Sequence, residues 1–103
     1  YAADWNKLRE RANKLLQKAG VNEDKQMGPF FLSPEELQNE NDFTAAICNK
    51  VLMYLHEDAA RHKRSALFAK ASLRYSQLCS EFMTAYSEGG LEAAIDEIFI
   101  QGS

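Results

Sequence analysis

Two histidines, two cysteines and a set of glycines are the residues in this chain with which chemistry would begin, and each needs partners at a particular spacing. His56-Glu57 opens like the helix of a zinc protease, whose second imidazole belongs four positions after the first. That position is Ala60. His62 lies about 120° round a helix from His56, so the two rings cannot meet a metal from one face. No metal site and no catalytic residue is expected. A P-loop requires Gly, four residues and then Gly-Lys-Ser/Thr, a pattern that Gly20, Gly28, Gly89, Gly90 and Gly102 all miss. Asn39-Glu40-Asn41-Asp42 has the flavour of a calcium loop but lacks its central Gly and closing Glu, and reads as a helix-capping linker. Cys48 and Cys79 fall on apolar sides of helical patterns and read as buried free thiols rather than a disulfide, with no nucleophile elbow around either.

The elements that would carry these residues are helical. Trp5, Leu8, Ala12, Leu15, Leu16 and Ala19 recur at spacings of three and four, on a helix that Asp4 can cap and Gly20 can end. Ser33-Pro34-Glu35-Glu36 carries a capping-box signal for a short helix fading by Glu40. Asp42 is the expected cap of a longer, central helix with Phe43, Ile47, Val51, Tyr54 and Leu55 as its stripe, widened by Leu52 and weakening from His56 to Arg64. Ala66-Leu67-Phe68 follows as a short apolar anchor. Leu78, Phe82, Met83 and Tyr86 mark another helix, stopped by Gly89-Gly90, and a last one runs from Leu91 to about Glu97. The fold class expected is mainly α, a small bundle of four to five helices over residues 1–103. One very short β pairing is allowed for, Phe30–Leu32 with Ile98–Ile100.

At 103 residues the chain has the size of one domain and can bury a core without disulfides or metal. It has no initiator Met, no signal-peptide pattern and no apolar run long enough for a bilayer. It therefore reads as an excised piece of a larger cytoplasmic protein, with no membrane partner. The net charge of −3 hides an asymmetry. Residues 61–74 hold Arg61, Lys63, Arg64, Lys70 and Arg74 without an acid, and residues 75–103 hold only acids. The two runs read first as solvated faces that attract one another. Arg61, Lys63 and Arg64 are also candidates for a basic strip that meets phosphate, DNA or a neighbouring subunit.

The remaining feature is "EDKQMGPFFL", residues 23–32, where Gly28 and Pro29 forbid a helix yet Phe30, Phe31 and Leu32 demand burial. With "WNKLRERANKLL" before it and "SPEEL", "VLMYLHEDAARHKRSALF" and "SQLCSEF" after it, this block resembles the C-terminal end of McrB-type AAA+ ATPases and GTPases, the motors of modification-dependent restriction systems. The resemblance covers residues 5–82. It implies a helical lid, the small subdomain beside the nucleotide, within a homo-hexameric ring that hydrolyses GTP or ATP with magnesium. It implies an upstream large subdomain holding the P-loop, a McrC-like nuclease partner and DNA contacts through other domains. The fragment itself would hold no cofactor and be no enzyme.

No counterpart of the lid arginine of many AAA+ proteins is evident, so Lys25 is the candidate to lie near the nucleotide. Its other reading is a surface cation paired with Glu23 or Asp24. Met27, Gly28, Pro29, Phe30 and Phe31 are the candidates for docking on the large subdomain. Two other classes remain: a stand-alone helical module that binds a protein partner through the same apolar surface, and a small helical DNA-binding domain using residues 61–74.

Overall fold

The computed structural model describes residues 1–101, and Gly102, one of the glycines weighed above, lies outside them. Helix α1 spans Ala2–Lys18 and buries Trp5, Leu8, Ala12, Leu15 and Leu16, the stripe that the spacing predicts. It begins earlier than expected: Trp5 N–H bonds the Tyr1 carbonyl at 2.8 Å, so Asp4 sits inside the first turn. There its carboxylate faces the positive end of the helix dipole instead of capping it. At the other end Gly20 adopts φ +78°, Gly20 N–H bonds Gln17 O at 3.0 Å and Val21 N–H bonds Leu16 O at 3.0 Å. This paired Schellman arrangement needs a left-handed residue, which is why glycine stands there.

Two short 3₁₀ turns, Glu23–Lys25 and Pro34–Leu37, flank the Gly-Pro loop. The second has the expected capping box, with Glu36 N–H on Ser33 Oγ at 3.4 Å and Ser33 N–H on Glu36 Oε1 at 2.8 Å. Helix α2 starts at Glu40–Ala46 and continues through widened π turns at Ile47–Leu52 and Leu55–Ala59. Asn39 caps it, not Asp42: the Asn39 amide oxygen accepts Asp42 N–H at 2.9 Å, and the amide nitrogen donates to the Asp42 carboxylate at 2.9 Å.

The widening has a cause in the sequence. Phe43, Ile47, Val51, Leu55 and Ala59 are all buried and recur every fourth residue. In an α-helix four residues turn through about 400°, so each repeat overshoots by about 40° and Ala59 would drift far from Phe43. Turns closed by i→i+5 bonds, such as Ala60 N–H to Leu55 O at 2.8 Å, hold more residues each and bring the stripe back to the core.

Helix α3, Arg64–Leu67, is one turn long and packs on α1. Helix α4 is assigned over Tyr75–Ile98, but Gly90 at φ 79° and ψ −167° breaks it into 75–89 and 91–98, as Gly89-Gly90 predicts. That backbone region is open essentially to glycine alone. The buried residues form one core cluster.

The expected pairing of Phe30–Leu32 with Ile98–Ile100 does not occur. The "IFI" triplet pairs instead with Leu67, Phe68 and Ala69: Ala69 N–H bonds Ile98 O at 3.0 Å and Ile100 N–H bonds Leu67 O at 2.9 Å. This antiparallel bridge stacks the Phe68 and Phe99 rings, with centroids 6.0 Å apart. Phe30 and Phe31 lie in a turn, where Phe31 N–H bonds Gly28 O at 3.2 Å and Pro29 has no N–H to offer a ladder.

Candidate functional site

The Met27–Leu32 loop is irregular in backbone and yet held at many points. Asn13, on α1, grips Met27 from both sides, its amide nitrogen donating to Met27 O at 2.8 Å and its amide oxygen accepting Met27 N–H at 2.8 Å. Trp5, two turns earlier, donates its indole N–H to Pro29 O at 2.9 Å. From α2, Lys50 donates to Phe31 O at 3.1 Å and is itself held by Glu36 at 3.0 Å. The Phe31 ring packs among Trp5, Tyr54 and the Lys50 ammonium, at centroid distances of 6.2, 5.3 and 5.7 Å. The hydrogen bonds from Asn13, Trp5 and Lys50 to Met27, Pro29 and Phe31 satisfy backbone groups that the irregular turn leaves without a helical or strand partner.

Those anchors divide the loop's apolar residues. Met27 and Leu32 are core residues, Phe31 is half-buried, and Phe30 is 89% exposed at the tip beside exposed Gly28 and Pro29. A phenylalanine left that open on a braced turn loses little conformational freedom on meeting a partner, so its full apolar surface is available for binding. Of the docking candidates, Met27 faces inward; Gly28, Pro29 and Phe30 present the surface.

Lys25 stands on the neighbouring 3₁₀ turn. Its ammonium pairs with Asp58 of α2 at 2.9 Å, and not with Glu23 or Asp24, the partners that the surface reading expects and that are both exposed. The hydrogen bond to Asp58 raises the Lys25 pKa. Its carbonyl accepts the Tyr54 hydroxyl at 2.7 Å, which fixes the turn against α2. Lys25, Asp58, His62 and Lys63 rim a shallow cavity of about 320 Å³ floored by Val21 and Ala59. Cations and a carboxylate on an apolar floor could hold an anionic ligand there only by displacing Asp58 from Lys25.

The basic stretch is arranged differently. Lys63 donates to Ala19 O at 2.6 Å and so tops the C-terminus of α1. Arg64 donates Nε–H to His56 O at 2.9 Å and pairs with Glu57 at 2.8 Å. Lys70 reaches Glu81 at 2.6 Å and Glu97 at 3.2 Å, joining the basic run to the acidic one as their opposed charges predict. Arg61 is exposed. His56 is a core residue against Phe68, with Nε2 on Leu73 O at 3.0 Å and Nδ1 near Glu57 at 3.1 Å. Among the described residues no group of three metal-ligating side chains exists, and no helix is long and apolar enough to cross a membrane.

Sequence reasoning did not reach Asn13, Trp5, Lys50, Tyr54 or Asp58 as members of this site. Asn13 carried the one available signal, a polar residue bordering the apolar stripe of α1.

A protein of Bacillus subtilis (strain 168), the "Type II restriction enzyme BsuMI component YdiS", is 44% identical over 78 residues. The alignment takes in 76% of this chain and 21% of the relative, so the chain spans about a fifth of that relative's length. No family model matches the chain, and no solved structure matches it. The chain is therefore related to part of a restriction-system component.

Proposed function

We propose that this chain is the helical lid of an AAA+ motor of the McrB kind within a restriction system. The observation that carries the reading is the 44% identity to a restriction-enzyme component of which the chain spans only 21%. In this reading an upstream large subdomain binds GTP or ATP with magnesium, the ring is a homo-hexamer, and a McrC-like nuclease and DNA engage other parts of the assembly.

The lid's task is mechanical: it must move as a solid body when the nucleotide changes and transmit that motion through a small apolar contact. The braced loop with Phe30 at its tip suits such a contact, and the α1–α2–α4 core suits the solid body. In this reading Lys25, on the rim of its cavity, senses phosphate by exchanging Asp58 for the ligand; its pairing with a half-exposed carboxylate supports such an exchange.

The test uses the full-length protein that contains this chain. Triphosphate hydrolysis and ring assembly are measured for the wild type and for Phe30→Ser, with the isolated chain as control. The expected result is hydrolysis by the full-length protein, none by the isolated chain, and at least a tenfold loss in Phe30→Ser, roughly the binding free energy of one buried phenylalanine. A full-length protein without triphosphatase activity overturns the reading, as does full activity in Phe30→Ser. The exposed Phe30 also serves a second reading, a stand-alone interaction module, for which a native gene product of about this chain's own mass is the mark.

A further inference from the structure

Away from the loop, α2 and α4 bring the two cysteines together. Tyr75 donates its hydroxyl to Cys48 O at 2.6 Å, and the Cys79 thiol points at the same carbonyl at 3.7 Å. Cys48 belongs to the widened turn Ile47–Leu52, and its carbonyl takes both side-chain contacts from α4. The Cys79 sulfur therefore lies against residue 48, and each thiol shifts the ionisation of the other. Both are free, Cys48 buried and Cys79 half-exposed. One accessible sulfur beside one shielded sulfur, on two different helices, is the arrangement of an attacking and a resolving thiol.

We propose that Cys79 is a peroxide-reactive thiol and Cys48 its resolving partner, the pair closing an intramolecular disulfide that ties α2 to α4. The electrostatics favour that division of labour. The adjacent Cys48 thiol, helped by Tyr75, brings the Cys79 pKa down to about 7, so a large share is thiolate at neutral pH. Cys48, beside Cys79 and buried, is pushed well above the ordinary thiol range and stays protonated.

In the first step the Cys79 thiolate attacks one oxygen of hydrogen peroxide. The O–O bond breaks, hydroxide leaves and takes a proton to become water, and Cys79 is a sulfenic acid. In the second step the Cys48 sulfur attacks the Cys79 sulfur, the S–O bond breaks, and the departing hydroxide carries off the Cys48 proton as water. Two thiols lose two electrons and peroxide gains them.

This inference is independent of the lid reading, because it needs only α2 and α4. The chain is treated with stoichiometric hydrogen peroxide at pH 7 and followed by intact mass and peptide mapping. The expected product is monomeric, lighter by about 2 Da, with a peptide joining positions 48 and 79, and is restored by a dithiol. Cys48→Ser should stop at a dimedone-trapped sulfenic acid, and Cys79→Ser should lose thiol at least tenfold more slowly. A readout that needs no variant is the pH dependence of wild-type Cys79 alkylation, expected to have its midpoint near 7. Oxidation of Cys79 to sulfinic acid without a cross-link, disulfides between chains, or an alkylation midpoint at about 8.5 or higher overturns the proposal.

Discussion

The Met27–Leu32 loop and the basic segment 61–74, in which one-turn α3 is the longest regular stretch, solve the same problem in opposite ways. In the first, side chains from the helices, Trp5, Asn13 and Lys50, satisfy the loop's backbone, which frees the loop's own Phe30 to face outward. In the second, the segment's own side chains satisfy backbone elsewhere: Lys63 tops α1 and Arg64 holds the His56 carbonyl of α2. A loop whose backbone is served by others can spend its side chains on a partner. One whose cations already bind carbonyls and acids has fewer to spend, which is why Phe30 stands out more than the charge run that dominates the composition.

The comparison breaks first at Asn13. Asn13→Ala strips Met27 of partners for both its N–H and its C=O and should cost about 2–4 kcal/mol in urea unfolding, with faster hydrogen exchange at Met27 and Phe31. If the stability stays within error of wild type, the loop is not held from α1. Arg64→Met tests the opposite segment. Loss of the His56 carbonyl bond and the half-exposed Glu57 pair should cost about 1 kcal/mol, without altering exchange in the 27–32 loop.

Acid supplies a smaller and separable effect. The Ser33 backbone N–H, with Lys50 behind it, holds the Glu36 carboxyl below its ordinary range. A depressed folded-state pKa contributes stability that is present above the unfolded value of about 4.3 and is lost as pH falls through the folded one. Wild type should therefore lose about 0.5 kcal/mol relative to Glu36→Gln on going from pH 5 to pH 2.5, because solvent still reaches this half-buried carboxylate and its half-exposed Lys50 partner. An unchanged difference between the two across that window would mean that the capping box carries no linkage. The smallest effect on stability belongs to Phe30→Ser, expected within about 0.5 kcal/mol of wild type because the side chain buries almost nothing. A large loss there would place Phe30 in the fold and not at its surface.

Much of the architecture was legible from local pattern. The stripe of α1, its stop at Gly20, the capping box at Ser33 and the break at Gly89-Gly90 each depend on residues within a turn or two of one another. The caps of α1 and α2 were misplaced by a few residues because Asp4 and Asp42 have the right chemistry and sit one turn from where the helices begin. The partner of Ile98–Ile100 was missed for another reason. Two apolar segments compete for it, and it is at Phe68, where the chain leaves α3 extended, that Leu67 O and Ala69 N–H are offered to the triplet.

By itself the sequence determined that the chain is helical, where its stripes lie, and that the Gly-Pro loop must carry exposed or awkwardly buried aromatics, since periodicity and turn chemistry are local. Tertiary structure alone decided that Phe30 faces out while Phe31 faces in, that Lys25 pairs with Asp58, and that Cys79 meets Cys48. Those choices rest on contacts between residues as many as 33 positions apart. Such contacts depend on the helices' relative placement in three dimensions, which no local spacing encodes.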